Sequence, residues 1–267
     1  MLKRLGVLLM IFRVVMYVTL LLPVVAAAGL LEEGFEASYS VSRNAMDIGL
    51  SERQLTRDGQ GALVYSSRTY AQGLLALLAG DVITERSVIT ERNGQLQPLR
   101  YSYERRGGRK DRRYQLQFDW RARTLHSDFD GRSQRLALDG PTHDLLSFQL
   151  RLMRALQRGQ SSLTLQIARK AKLESYQLRV TGTESIDTAL GRFTAVRVEQ
   201  QSGPRSGKDF RFTFWCVAEL GYLPVRIRRE EQGGEVYLSE LRKLQRTGTA
   251  AVALRTTADV YTVAGAD

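Results

Sequence analysis

The chain has 267 residues, with 39 lysines and arginines against 28 aspartates and glutamates, and a formal net charge of +11 at pH 7. Its single cysteine, Cys216, excludes an intramolecular disulfide. Only His126 and His143 are histidines, and no HExxH or paired CxxC motif occurs, so the sequence predicts no metal site and no cofactor.

The N-terminal segment has the features of a cleaved secretory signal. Lys3 and Arg4 precede an apolar run over 14–25, and three alanines at 26–28 provide the small residues that a signal peptidase reads. We therefore expect residues 1–28 to be a signal peptide and the mature, periplasmic protein to begin at Gly29.

Two alternatives concern this segment. A retained transmembrane anchor is disfavoured because Arg13 interrupts it, and the apolar run is shorter than the roughly 20 residues of a spanning helix. A start at Met10 would also leave a charged leader. An exported basic protein meets phospholipid head groups and acidic polymers, so we predict an anionic membrane surface or an envelope protein as partner and exclude nucleic acid.

Most of the mature chain alternates apolar and polar residues with the period of β-strands. Turn pairs such as Asn93-Gly94 and Asp130-Gly131 separate the alternating stretches, and no helices intervene between most of them, which predicts a meandering antiparallel sheet. We assign a single β-rich domain to 29–246 and a flexible tail to 247–267. The predicted strands lie near 35–41, 49–56, 62–69, 82–91, 96–104, 114–120, 163–167, 176–181, 193–198, 210–215, 223–227 and 236–244.

Two segments favour helix instead. The stretch 71–79 (AQGLLALLA) predicts a short helix, and 144–158 (DLLSFQLRLMRALQR) predicts a long one. Thr142 or Asp144 can cap the start of the long helix, and Gly159 suits the left-handed residue beyond its end. The fold class is therefore mainly β: a strongly curved antiparallel sheet or partly open barrel wrapped around one long helix at about 144–158.

Little in the sequence indicates catalysis. His143 and Asp144 could join a serine in a triad, but the simpler interpretation is a turn residue followed by a helix cap. We predict no catalytic residue and no enzymatic activity.

The densest charge lies at the tip of a hairpin that carries aromatic residues on one face. Its arginines suit phosphate, which predicts contact with an anionic surface, whereas the alternative is a solvated tip that protects a sheet edge. The candidate anion contacts are Arg105, Arg106, Arg109, Lys110, Arg112 and Arg113.

Aromatic and aliphatic residues provide a second candidate site. If the helix fills the concave side of the sheet only in part, they line a groove that suits an acyl chain; if it fills the space, they are core. The candidate ligand-binding residues are Phe118, Trp120, Phe148, Leu152, Phe193, Phe212 and Phe214.

Several segments, in order, resemble the bacterial exported proteins grouped as domain of unknown function 3108. They are FEASYSV, GLLALLAG, LQPLRYSYERRGGRKDRRYQLQFDW, GPTHDLLSFQLRLMRAL and LGRFTAVRVE followed by FTFWCVAELGYLPVRIR, between about Phe35 and Leu244. The resemblance implies an exported, β-rich envelope protein and supplies no catalytic residues. Pro98 and Pro224, within these segments, lack an amide donor and fit strand starts or edges.

The first functional hypothesis is a non-enzymatic envelope protein that binds a lipid-like or amphiphilic ligand between the sheet and the helix. The second is a protein–protein interaction module that assists envelope assembly through a sheet edge or the basic hairpin. A hydrolase that uses His143 is a distant third.

Overall fold

A computed structural model of the protein describes residues 29–73, 80–107, 111–203, 210–248 and 260–261. In these ranges one 16-stranded sheet accompanies two short α-helices, α1 (Leu30–Glu33) and α2 (Ser147–Gln157), and a 3-10 helix at Ala218–Leu220. The strands are β1 (Phe35–Arg43), β2 (Met46–Arg57), β3 (Leu63–Ala71), β4 (Val82–Arg92), β5 (Gln95–Arg106), β6 (Arg112–Asp119), β7 (Thr124–Phe129), β8 (Arg132–Ala137), β9 (Thr142–His143), β10 (Ser162–Arg169), β11 (Lys172–Thr188), β12 (Gly191–Ser202), β13 (Phe210–Val217), β14 (Leu223–Glu231), β15 (Val236–Arg246) and β16 (Val260–Tyr261).

The strands form an open, almost wholly antiparallel path. It runs β8-β7-β6-β5-β4-β3-β2-β1-β15-β14-β13-β12-β11-β10-β9, and only β9 lies parallel to its neighbour β10. The predicted meander is confirmed, and every strand predicted from the alternation is present. Strands β7, β8 and β9 were not predicted. Strand β8 exposes five of its six residues and β9 has two residues, whereas β7 does alternate and was missed.

The sheet curls until its two halves meet. Ser127 of β7 donates a hydrogen bond of 2.7 Å from its hydroxyl to the carbonyl of Lys170, in the turn between β10 and β11, although these elements lie near opposite edges of the strand path. Register shifts interrupt several strand pairs, including β1 with β2 and β11 with β12. Such bulges increase the local twist and bend the sheet.

Pro98 and Pro224 both lie beside register shifts, but at different positions within their strands. Pro224 is the second residue of β14, as predicted for a strand start, whereas Pro98 lies inside β5 where the register with β4 shifts. A shift of this kind interrupts the ladder, so the missing proline amide costs little there. The carbonyls of both prolines accept side-chain hydrogen bonds, from Trp120 at 2.7 Å and from Tyr39 at 3.0 Å.

The sheet has two ends, defined by its hairpin turns. The turns β1–β2, β5–β6, β7–β8, β10–β11 and β14–β15 lie at one end, here called the upper end, and the turns β2–β3, β4–β5 and β13–β14 lie at the lower end. Residues late in α2 bond to the lower turns. Arg158 donates to the carbonyl of Gly94 at 2.8 Å, and Gln157 donates to that of Gly221 at 3.3 Å.

The prediction of a sheet wrapped around one long helix requires correction. Helix α2 has 11 residues and begins at Ser147, not Asp144, because the carboxylate of Asp144 accepts hydrogen bonds from the amides of Leu146 and Ser147, both at 2.9 Å. Gly159, at φ 71°, follows its end as predicted. Much of the inner face packs against side chains of other strands, and α2 covers only part of it.

Some predicted elements lie outside the described residues. These are the signal segment 1–28, the part of the short 71–79 helix beyond Gly73, and most of the tail. Ala71 is the last residue of β3, and Val260–Tyr261 of the tail pair with Leu244 and Gln245. No helix within the described ranges is long and apolar enough to cross a membrane.

Asp144 joins the start of α2 to the sheet, so we expect its replacement by alanine to destabilise the protein. The variant would leave the buried hydroxyl of Ser87, which donates to Asp144 at 2.6 Å, and two helix-start amides without their acceptor. The free energy of unfolding should fall by about 2 to 4 kcal/mol in urea denaturation. The exposed Asp128→Ala control should change it by less than about 0.5 kcal/mol. Equal stability of the two variants would contradict this role.

Candidate functional site

One row of side chains crosses the inner face of five neighbouring strands. Arg53 pairs in register with Ser67, Ser67 with Glu85, Glu85 with Tyr103, and Tyr103 with Tyr114. Directly opposed residues of antiparallel strands point to the same face. The register therefore brings a guanidinium, a carboxylate and two phenols onto the inner face, and we call these five residues the inner polar row.

The opposite wall is aromatic. Phe210, Phe212 and Phe214 alternate along β13 and stand in a ladder, with ring centroids 5.0 Å and 5.5 Å apart. Phe148, at the start of α2, packs 6.0 Å from Phe214 and 6.2 Å from Phe212. The period-two spacing of β13 turns its three phenylalanines the same way. These four residues are the aromatic wall.

A cavity of about 440 Å³ lies between the inner polar row and the aromatic wall. Many of its lining residues stand at the upper ends of strands, whereas Leu145, Phe148 and Gln149 at the start of α2 reach it from the side of the lower end. The volume falls within the range of small-molecule sites. Further lining residues are Val41, Ile48, Thr69, Ile83, Arg112, Phe129, Arg169, Lys170, Ile227, Arg229, Tyr237 and Ser239.

The lining is rich in positive charge. Four cations, Arg112, Arg169, Lys170 and Arg229, lie at or near the upper ends of strands, and we call them the mouth cations. Three of them stand over aromatic rings: Arg169 is 5.3 Å from the Phe210 centroid, Lys170 is 5.0 Å from Phe129, and Arg229 is 4.3 Å from Tyr237. Among the described lining residues, Arg53 is a fifth cation and Glu85 is the single carboxylate. Outside the lining, Glu231 pairs with Arg229 at 3.0 Å.

Arg53 lines the cavity and contacts side chains of two other elements. Its guanidinium donates a hydrogen bond of 2.7 Å to the side-chain oxygen of Gln149 and lies 4.5 Å from the ring centroid of Tyr39. Its buried Nε atom has no hydrogen-bond partner among the residues that the structure describes. Within the part of the chain that the structure describes, no carboxylate oxygen lies within 4 Å of this guanidinium, so its charge has no close ion-pair partner.

Glu85 belongs to a chain of hydroxyl groups. The phenol of Tyr101 donates a hydrogen bond to its carboxylate, and the phenol of Tyr114 lies 3.5 Å from that of Tyr101. Burial raises the pKa of the Glu85 carboxyl, while the bond from Tyr101 and the charge of Arg53 act in the opposite direction. Burial also raises the pKa of Tyr101. The site therefore holds a carboxyl that binds its proton more tightly than an exposed glutamate does.

The structure brings three of the predicted ligand-binding residues together and leaves four elsewhere. Phe148, Phe212 and Phe214 line the cavity. Phe118 and Trp120 stack on each other at 5.9 Å in the core, away from the lining. Leu152 is buried among core residues, and Phe193 packs at the edge of the core.

The residues of the hairpin that were predicted to contact an anion lie in different surroundings. Arg105 pairs with Asp81, and Arg106 pairs with Glu104 at 2.8 Å. Arg112 lines the cavity, while Arg113 is exposed on β6. Arg109 and Lys110 lie outside the described residues. Of its described cations, the hairpin thus contributes only Arg112 to the cavity lining.

The inner polar row was missed from the sequence. In β2 the residues Ser51, Arg53 and Leu55 share one face, and Leu55 is fully buried. A polar residue spaced by two from a buried leucine in a strand lies on the same inner face, and this pattern can be recognised in the sequence. Without the strand register, however, nothing shows that Glu85 of β4 belongs to the same row.

His143 and Asp144 do not form the geometry of a triad. The carboxylate of Asp144 accepts hydrogen bonds from Ser87 and from amides at the α2 start. Within the described ranges, the Nδ1 atom of the buried His143 has no hydrogen-bond partner. Cys216 is buried, and burial raises the pKa of its thiol. Among the described residues, no group of three or more His, Cys, Asp or Glu side chains could hold a metal ion.

A family model described as a protein of unknown function, DUF3108, matches residues 35–240. The chain therefore belongs to this family, and the resemblance inferred from the sequence is confirmed. None of the curated proteins compared with the chain matches it.

A similar fold occurs in the crystal structure of a beta-barrel-like protein of the domain of unknown function DUF1849 from Brucella abortus. The TM-score is 0.54 at 11% sequence identity, and the match covers 80% of this chain and 97% of that one. At this identity the likeness concerns the fold alone, and it supports the barrel-like curvature of the sheet.

The buried imidazole of His143 should make stability depend on pH. Burial, followed by the charge of Arg151, lowers its pKa to about 3. The unfolded chain binds the proton near the ordinary value of about 6.5 and the folded chain does not, so stability should fall as the pH drops below about 6.5. The slope should approach about 1.4 kcal/mol per pH unit.

Urea denaturation between about pH 7 and pH 4.5 measures this slope in the wild type and in His143→Gln. The variant lacks the titrating imidazole and should lose less stability over the same interval. Parallel losses in the two proteins would show that His143 takes up its proton as readily in the folded state as in the unfolded chain.

Proposed function

We propose that this member of the DUF3108 family binds a lipid-like or other amphiphilic ligand in the cavity between the inner polar row and the aromatic wall. It acts in this proposal as a non-enzymatic protein of the bacterial cell envelope. The observation that carries the proposal is the composition of the cavity: a continuous aromatic surface and five cations against one carboxylate.

The aromatic wall suits a hydrocarbon chain. Its four phenylalanines form an unbroken contact surface from the start of α2 towards the upper end of β13. Each methylene removed from water against such a surface contributes about 0.8 kcal/mol. The volume of about 440 Å³ is near the lower part of the range for ligand sites, which favours one chain over two.

The mouth cations favour the entry of an anionic ligand. Arg112 is exposed at the upper end of the sheet, and Arg169, Lys170 and Arg229 are half-buried beside aromatic rings. Clefts lined by one sign of charge attract ligands of the opposite sign and raise their local concentration. A ligand with a single hydrocarbon chain and a negative group meets both features of the lining.

Export to the periplasm is part of the proposal. It rests on the charged start of the chain, the apolar run over 14–25 and the three alanines that follow. A periplasmic protein lies between two membranes, where amphiphiles need a binding protein to cross water.

A second candidate is an interaction module that assists envelope assembly. The observation in its favour is β8, which ends the strand path, pairs with β7 and exposes five of its six side chains. A partner strand could add to its outer edge. Arg132 and Arg135 on this strand oppose such pairing, since charges commonly protect an edge, so the cavity carries the stronger argument.

Binding of an amphiphile tests the proposal. The purified mature chain should bind hexadecanoate, monitored by displacement of a fluorescent fatty acid. Phe212→Gln should weaken the affinity about tenfold, because a polar amide replaces an aromatic contact in the wall. Phe193→Gln, outside the cavity, is the matched control and should leave the affinity unchanged. If the wild type binds no single-chain amphiphile, the proposed function is wrong.

Export is tested in bacterial cells. The protein isolated from the periplasmic fraction should begin at Gly29, as measured by the intact mass of the mature chain. Replacing Val14 to Val18 with polar residues should leave the precursor in the cytosol, because the signal then lacks its apolar core. Full-length protein in the cytosolic fraction of wild-type cells would contradict the periplasmic assignment.

A further inference from the structure

The cations of the cavity differ in their position along the strands and in their partners. Arg53 lies within the inner polar row, on a strand position shared with core residues, whereas the mouth cations stand at strand ends. Among the described residues, the buried Nε atoms of Arg53 and of the mouth cation Arg229 both have no hydrogen-bond partner, but Arg229 pairs with Glu231 at 3.0 Å. A guanidinium stays charged even when buried, so Arg53 places a permanent positive charge in the interior.

A buried charge without a close counter-ion is costly to a fold. The cost of removing an ion from water is several kcal/mol, and it is offset only by pairing and hydrogen bonds. Gln149 and the ring of Tyr39 offset part of it for Arg53. Within the described ranges no carboxylate oxygen lies within 4 Å of this guanidinium, so an anion that enters the cavity can provide the missing partner.

The geometry around Arg53 favours a small anion with one negative charge. The only cation of the inner polar row is Arg53, and its neighbours Gln149, Tyr65 and Tyr39 provide an amide and phenols. A guanidinium fork matches a carboxylate with two parallel bonds. A phosphate carries up to twice the charge and would require further cations, which lie at the mouth instead.

We propose, on the basis of the proposed function, that Arg53 binds the carboxylate of a fatty acid whose hydrocarbon chain runs along the aromatic wall towards the mouth cations. The head group then lies inside the protein and the chain end points towards the upper end. Gln149 is the positioning residue, because its oxygen holds the guanidinium in place from the start of α2.

A carboxylate bound at Arg53 would also affect the protonation of Glu85. Glu85 stands in the same row as Arg53, two strands further on with Ser67 of β3 between them, so a bound carboxylate would bring a second negative charge towards it. Two carboxylates in one buried site do not both stay ionised. Binding of the fatty acid should therefore be accompanied by uptake of a proton at Glu85.

Other groups near Glu85 also affect the protonation of its carboxyl. Tyr101 and Tyr103 of β5 and Tyr114 of β6 face it with neutral phenols. Asp144, before α2, opposes its ionisation, and Arg169 of β10 favours it together with Arg53. Because these charges stay the same when Glu85 is replaced, the variant isolates the contribution of Glu85.

The test compares hexadecanoate, hexadecanol and hexadecyl phosphate as ligands of the wild type, Arg53→Gln, Glu85→Gln and Arg169→Gln. Arg53→Gln should weaken binding of hexadecanoate by about tenfold or more and leave hexadecanol unchanged, since a charge-assisted bond is lost. Glu85→Gln should strengthen binding of hexadecanoate and make it less dependent on pH, because the competing carboxylate is gone. A misfolded variant cannot produce this gain.

The outcomes distinguish the inference from the function on which it rests. If the wild type binds none of the three ligands, the proposed function fails. If Arg169→Gln weakens the binding of hexadecanoate and Arg53→Gln does not, the head group lies at the mouth and the inference is overturned. If hexadecyl phosphate binds more tightly than hexadecanoate, and Arg53→Gln weakens the binding of both ligands equally, the ligand class is wrong. Urea denaturation of each variant shows whether a loss of binding reflects a loss of folding.

Discussion

The inner face of the sheet has more room than helix α2 can fill. A curled sheet of this length encloses a volume that its own side chains must occupy, and an α-helix of 11 residues is only about 16 Å long. Hydrogen bonds from Arg158 and Gln157 hold the end of α2 at the lower turns, and the Asp144 carboxylate ends it on the other side. The space beyond Phe148 is left to the cavity, and the possible functions of the protein follow from this mismatch.

What lines the remaining space is unusual for a protein interior. Core strands normally turn apolar side chains inwards, whereas β2 and β4 turn Arg53 and Glu85 into the enclosed volume. Both groups are costly to bury, and a leucine at either position would cost less. Local rules of folding are commonly broken at functional sites. The polar row is therefore better explained by a ligand than by stability.

The sequence predicts the strands better than the site, and the reasons are physical. Apolar–polar alternation is a property of neighbouring residues, so the sequence predicted the series of strands directly. Strand β8 has polar residues on both faces and therefore shows no alternation. The position of Gly159 beyond the end of α2 was also predicted from local sequence. The shared parity of Phe212 and Phe214 with Phe210 was also visible. Which strands face one another across the cavity depends on how far the sheet curls, and bulges set that curl. Phe118 and Phe193 have the same local pattern as Phe212, yet their strands place them in another part of the core.

The distribution of ion pairs explains why a basic protein concentrates its field in the cavity. On the outer face, arginines alternate with the buried residues of β14 and lie beside carboxylates: Arg226 pairs with Glu240 at 2.7 Å, and Arg228 with Glu230 at 2.7 Å. Such exposed pairs add little stability, but they cancel charge locally.

Inside, Arg169 and Lys170 stand over aromatic rings, and Arg53 bonds to an amide. Rings and amides orient these side chains but carry no net negative charge of their own. Low-dielectric walls screen the remaining charge less than water does, so its attraction for an anion is strongest inside the cavity. The outer arginines thus lie beside carboxylates, while the inner ones provide the field on which the proposed binding of an anionic amphiphile rests.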